Sequence, residues 1–136
     1  MACPYFYPVA RLEEDLWAVP PRLPLGDAYT GECRAGETPH QPDSAVIRTS
    51  CNSGYAGGRC ERFPQGARAD ALRFSIVADE GDGIRVQYIF EKGCWPLDHG
   101  ELRYSESEHS FTPQPADEVV ARQAAVFLES YLRRAR

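Results

Sequence analysis

The stretch ALRFSIVADEGDGIRVQYIF, residues 71–90, contains the clearest structural pattern of the sequence. Leu72, Phe74 and Ile76 alternate with smaller or polar residues, which is the period-two pattern of a half-buried β-strand. The turn sequence EGDG follows, and IRVQYIF then repeats the alternation. Two alternating runs joined by a Gly- and Asp-rich turn predict an antiparallel β-hairpin.

The sequence after this hairpin predicts a third strand and a helix. GELRYSES, residues 100–107, is typical of a shorter strand, and residues 115–136 show helical periodicity. Acidic Asp117 and Glu118 at the start and basic Arg133 and Arg134 near the end match the helix dipole. The apolar stripe of this helix is Val120, Ala124, Phe127, Leu128 and Tyr131. We therefore expect an α+β fold, with about three antiparallel strands under one C-terminal helix.

The N-terminal half has a different character. Residues 1–66 contain most of the 11 prolines and show no sustained period of two or 3.6. Their many aromatic residues argue against disorder, so we expect a bound group to organise them. We predict one domain, residues 1–136, in which a loop-rich cofactor-binding half (1–66) packs on a sheet-and-helix half (67–136).

Five cysteines, Cys3, Cys33, Cys51, Cys60 and Cys94, point to the bound group. In a reducing compartment, clustered cysteines are more often metal or redox sites than structural disulfides, and an odd number does not fit a fully paired framework. The first four share the irregular half with Gly31, Gly54, Gly57 and Gly58.

An iron–sulfur cluster suits this spacing. A cubane cluster is several ångströms across, so separate loops can each supply one thiolate, and nearby glycines let backbone N–H groups approach its sulfides. We predict Cys3, Cys33, Cys51 and Cys60 as ligands of one [4Fe–4S] cluster. Cys94 follows a strand at a turn, so we expect it to be left over.

Two alternatives remain open from the residues alone. Structural Zn²⁺ usually takes cysteines in C-x2–4-C pairs, which this chain lacks, although dispersed ligands can also hold zinc. Buried free thiols acting as small apolar groups are the second alternative. For four cysteines among Gly, Pro and Asn residues, that second interpretation is the weaker one.

The cysteine segments also resemble those of short bacterial four-cysteine iron–sulfur proteins. The matching residues, all in the first half, are Cys3-Pro4-Tyr5-Phe6, Gly31-Glu32-Cys33, Cys51-Asn52-Ser53-Gly54-Tyr55-Ala56, Cys60 and Phe63-Pro64. The resemblance implies a cluster and carries no activity with it.

Composition limits the function classes. The net charge of −5 and the absence of a basic stripe argue against a nucleic-acid partner, and no apolar run has membrane-spanning length. The N-terminal sequence lacks the pattern of a secretory signal, so we expect a cytoplasmic location. We predict an electron-transfer or redox-sensing protein with a redox partner protein. The other hypotheses are a zinc-stapled binding module and a cluster-dependent enzyme whose reaction the sequence does not indicate.

Overall fold

The protein combines two antiparallel sheets with a long C-terminal helix. The computed structural model describes residues 2–12, 25–54, 60–81 and 83–135. Its elements in chain order are β1 (Phe6–Arg11), β2 (Tyr29–Cys33), a short helix α1 (Ser44–Val46) that continues as a π-helix (Ile47–Cys51), β3 (Ala71–Asp79), β4 (Gly83–Lys92), β5 (Trp95–Ser105), β6 (Ser110–Thr112) and α2 (Glu118–Ala135). The α+β class expected from the sequence is therefore confirmed.

The larger sheet has the strand order β3-β4-β5-β6. The predicted hairpin forms its first two strands, and Phe74 lies opposite Tyr88. The expectation of about three strands is wrong in number, because β6 pairs with the end of β5 as a fourth strand. Three residues are too few to show an alternation. β5 begins at Trp95, earlier than predicted. Its first residues are exposed on both faces, so they lack the alternation that would predict a strand.

Helix α2 covers the inner face of this sheet. The Asp117 carboxylate caps its N-terminus by accepting from the backbone N–H of Val119 at 2.8 Å. Val120, Ala124 and Leu128 of the predicted stripe are buried. Phe127 stacks on Phe74 of β3, with 5.7 Å between the ring centroids. Burying one such side chain contributes about 1.5–3 kcal/mol, so the stripe fixes the helix on the sheet.

The first half is more regular than expected. Strands β1 and β2 pair as an antiparallel two-stranded sheet in which Phe6 lies opposite Cys33. The register shifts between Pro8 and Ala10, which breaks the alternation that would have predicted β1. The sequence predicts a loop-rich half, and its described residues also contain these two strands and a short helical segment. The proline-rich stretch 13–24 lies outside the described residues.

Backbone and side-chain hydrogen bonds attach the first half to the second. Ala2 and Leu72 form a two-bond antiparallel bridge, with N···O distances of 2.9 and 2.8 Å. The Arg122 side chain on α2 donates to the carbonyl oxygens of Pro8 and Val9 at 2.7 and 2.9 Å. These contacts place the N-terminal segment, with Cys3, between the sheet and the loops of the first half.

Candidate functional site

Four of the five cysteines line one cavity of about 360 Å³. They come from four separate segments: Cys3 precedes β1, Cys33 ends β2, Cys51 ends the π-helix, and Cys60 precedes Phe63 in an irregular segment. These are the four cysteines that the sequence predicts as ligands. The structure thus brings together residues that are up to 57 positions apart in the chain.

Backbone bonds fix the relative positions of three of these segments. The N–H of Cys3 donates to the carbonyl of Cys51 at 3.0 Å. Cys33 exchanges two backbone bonds with His40, at 2.7 and 2.9 Å, so the chain turns back beside it. Because Cys33 also pairs with Phe6, the Cys3 and Cys33 segments lie side by side.

The position of Cys51 at the cavity depends on the helical turn before it. The Asp43 carboxylate accepts from the N–H of Val46 at 2.9 Å and caps α1. The π-helix that follows ends at Cys51. π-Helical turns occur frequently at functional sites, because their extra residue redirects the side chains that follow. The Cys51 side chain is turned into the cavity.

Asn52, the next residue, holds this turn against β2. It is 1% exposed, and its side chain bonds to both the N–H and the C=O of Tyr29, at 3.0 and 2.9 Å. It also donates to the carbonyl of Ile47 at 3.1 Å. A single buried amide therefore links the segment of Cys51 to the strand that ends at Cys33.

The thiols differ in burial. Cys3 and Cys51 are buried, whereas Cys33 and Cys60 are partly exposed. Burial, with smaller contributions from the neighbouring Cys33 and Cys60, raises the pKa of both Cys3 and Cys51 to about 12. At neutral pH without a cation, both buried thiols are protonated. A bound metal centre would replace these protons, so its binding would release them.

Aromatic and polar side chains complete the cavity wall. The rings of Tyr5 and Phe63 meet edge to face, with centroids 5.6 Å apart. His40 and Arg62 also line the cavity. The wall therefore combines soft sulfur donors with apolar cover, and cysteine thiolates are the donors that zinc and iron–sulfur clusters prefer.

The glycines near the cysteines have separate roles. A side chain at Gly31 would collide with the carbonyl oxygen of Tyr7, so glycine here permits the close approach of β1 and β2. Gly54 has a φ of 75°, which favours glycine in the turn after Cys51. Gly57 and Gly58, expected to bring amides towards a cluster, lie outside the described residues.

Cys94 lies apart from the cavity. It is exposed in the tight turn between β4 and β5, with a φ of 70°. This agrees with the expectation that it occupies a turn after a strand.

Over residues 2–12, 25–54, 60–81 and 83–135, no group of three or more His, Cys, Asp or Glu side chains is arranged to hold a metal ion.

Asn52 and Gln123 are two buried amides beside the cysteine segments, and neither belongs to the site residues predicted from the sequence. A signal exists for Gln123, because it lies three residues after Val120 and four before Phe127, on the apolar stripe of α2. A polar residue on such a stripe indicates a buried partner. Asn52 carries no comparable periodic signal.

Comparison with known proteins gave no match to a family model, a curated protein or a solved structure. Within the part of the chain that the structure describes, no helix is both long and apolar enough to cross a membrane.

Proposed function

We propose that the protein binds one [4Fe–4S] cluster through Cys3, Cys33, Cys51 and Cys60 and acts in electron transfer or redox sensing. The observation that carries this proposal is the shared cavity. Four cysteines from four segments line it, while Cys94 lies elsewhere on the surface. Unrelated buried free thiols would not be expected to converge in this way.

The distribution of the cysteines supports a cluster over a single zinc ion. A structural zinc site closes four ligands on one ion at about 2.3 Å and usually takes cysteines in closely spaced C-x2–4-C pairs, which this chain lacks. A cubane cluster places its ligands around a body several ångströms across.

The exposure pattern supports an exchange of electrons. When bound, the cluster supplies a redox centre whose potential depends on solvent exposure and hydrogen bonds to sulfur. Cys3 and Cys51 would shield its inner side, and the partly exposed Cys33 and Cys60 give the site an edge near solvent. A redox partner protein or a small oxidant can approach this edge.

Metal and sulfide analysis tests the cofactor. Protein purified without air should be brown and contain iron and acid-labile sulfide in equal amounts, about four of each per chain. Stoichiometric zinc without sulfide, in cells supplied with iron, would contradict the cluster and support the zinc-stapled module. Iron without sulfide would indicate a mononuclear site.

A redox titration tests the role. The cluster should be reduced and reoxidised reversibly, with a changed electron paramagnetic resonance spectrum and unchanged iron content. A cluster that stays in one state across the accessible potentials would contradict both electron transfer and redox sensing while leaving the cofactor assignment intact.

A further inference from the structure

Gln123 lies in the second turn of α2 and is completely buried. Its side-chain amide nitrogen donates to two carbonyl oxygens, that of Cys3 at 2.8 Å and that of Phe6 at 2.7 Å. One side chain of the C-terminal helix thus reaches a segment about 120 residues earlier in the chain, next to the first cysteine.

The two hydrogen bonds from Gln123 restrain the Cys3 segment directly and the Cys33 segment through the strand that pairs with it. The carbonyl of Cys3 also accepts from the N–H of Phe6 at 3.1 Å, which closes a turn on the cavity. Phe6, the other acceptor of Gln123, lies opposite Cys33 in the two-stranded sheet. The amide therefore fixes the backbone of Cys3 directly and that of Cys33 through its partner strand.

The side-chain oxygen of Gln123 is in a different environment from the side-chain nitrogen. The Gln123 side-chain carbonyl oxygen is buried and has no hydrogen-bond partner among the residues that the structure describes. An unpaired buried acceptor is unfavourable, which offsets much of what the two bonds contribute to folding. A methionine of similar length would avoid that penalty. What glutamine supplies and methionine lacks is two donors directed at the cysteine segments.

We propose that Gln123 is a positioning residue for the four-cysteine site, holding the Cys3 corner, and through Phe6 the Cys33 strand, in the geometry that receives the cofactor. The effect on a cluster rests on the proposed function, whereas the effect on the Cys3 backbone does not. Groups that orient metal ligands from outside typically change metal affinity 10- to 100-fold when removed.

The test compares Gln123→Met with Ser130→Ala. Ser130 is also buried on α2, but its hydroxyl bonds to Asp27 at 2.7 Å and Tyr29 at 2.8 Å, away from the cavity. In reduced, metal-free protein, the rate of alkylation by iodoacetamide is measured for each cysteine by mass spectrometry. In protein carrying its cofactor, iron release to a chelator and the reduction potential are measured.

We expect Gln123→Met to raise alkylation of Cys3 about tenfold relative to Cys51, to speed iron release by a similar factor and to shift the reduction potential. Ser130→Ala should leave the Cys3-to-Cys51 ratio and the potential unchanged, even where it lowers stability as much. An unchanged Cys3-to-Cys51 ratio of alkylation rates would overturn the inference. The Gln123 amide would then act only on general stability.

A second variant covers loss of folding. If Gln123→Met does not fold, the same ratio is measured in Gln123→Leu, which also removes both donors and introduces no buried charge. Unfolding of both variants, while Ser130→Ala folds, would overturn the inference and make Gln123 a residue of the fold alone. If wild-type protein contains neither iron nor sulfide, the proposed function fails, but the alkylation ratio still decides the role of Gln123.

Discussion

At the scale of single residues, the five cysteines lie in three kinds of environment. Cys3 and Cys51 are buried, Cys33 and Cys60 are partly exposed at the same cavity, and Cys94 is exposed in a distant turn. We expect Cys33→Ala, Cys51→Ala or Cys60→Ala each to lose or degrade the cluster, because each removes an anionic ligand. Iron per folded chain, measured on the single variants, checks this.

Cys94→Ala is the matched control for these variants. It removes a thiol outside the cavity, so iron content should equal that of wild type and stability should change by no more than about 0.5 kcal/mol. Loss of iron in this variant would show that Cys94 supplies one of the ligands. Cys3→Ala should behave like the other three cavity variants, and full iron retention there would remove Cys3 from the ligand set.

Tyr29 is a buried residue whose ionisation links stability to pH. Its hydroxyl bonds to Ser130 at 2.8 Å, and burial raises its pKa. The folded protein therefore favours the neutral phenol. Its contribution to stability is complete below the ordinary tyrosine pKa of about 10 and is lost as pH rises from there through the raised folded pKa.

Tyr29→Phe isolates this effect. At pH 7 the variant should be about 1 kcal/mol less stable, because it loses the hydroxyl bond to Ser130. The difference in free energy of unfolding from wild type should shrink as pH rises above about 10. Urea unfolding of both proteins under reducing conditions, from pH 7 to 11, measures it. A difference that stays constant over that range would contradict the assignment.

At the scale of elements, the π-helix and β2 form the support of the cavity, and Asn52 joins them. Asn52→Ala would leave the backbone N–H and C=O of Tyr29 without these partners in a buried setting. Each unsatisfied group costs about 1–3 kcal/mol, so we expect a loss of about 2–6 kcal/mol for the two groups, measured by chemical unfolding. Ser53→Ala removes an exposed hydroxyl that donates to the carbonyl of Arg48 at 3.2 Å, and it should change stability by about 0.5 kcal/mol or less.

The elements also differ in how well the sequence predicts them. β3, β4 and α2 follow from alternation and from Asp117 at the helix start, because local pattern and burial coincide there. β1 and the π-helix do not follow from the local pattern. Pro8 interrupts the alternation in β1, and the π-helix lacks a periodic signal. The four cavity cysteines could be predicted from their position in the irregular, glycine-containing half, whereas Cys94 follows a predicted strand. The roles of Asn52 and Gln123 depend on partners distant in sequence, which no local pattern contains.

At the scale of the whole molecule, the two halves of the chain share one apolar core and differ in their backbone bonding. The larger sheet has long backbone ladders, as in the pairing of β3, β4 and β5, and its core with α2 extends into the first half through Phe6, Leu25 and Ile47. The described part of the first half has a short sheet, its backbone is bound by the buried amides of Asn52 and, from α2, Gln123, and its cysteines converge on a cavity. Local stability should therefore be unequal, with the lowest values around the cavity.

Removal of the cofactor should make this difference measurable. Without the group that joins the four cysteine segments, the backbone amides of Cys33, His40 and Phe63 should exchange with deuterium at least tenfold faster, because the bonds that protect them lie beside the cavity. Amides in the centre of β4 should keep their protection, since they belong to a ladder bonded on both sides. Hydrogen exchange on protein with and without its cofactor, read by mass spectrometry, makes the comparison. Equal protection of the cavity amides in both forms would show that β1, β2 and the buried amides organise the first half without the cofactor.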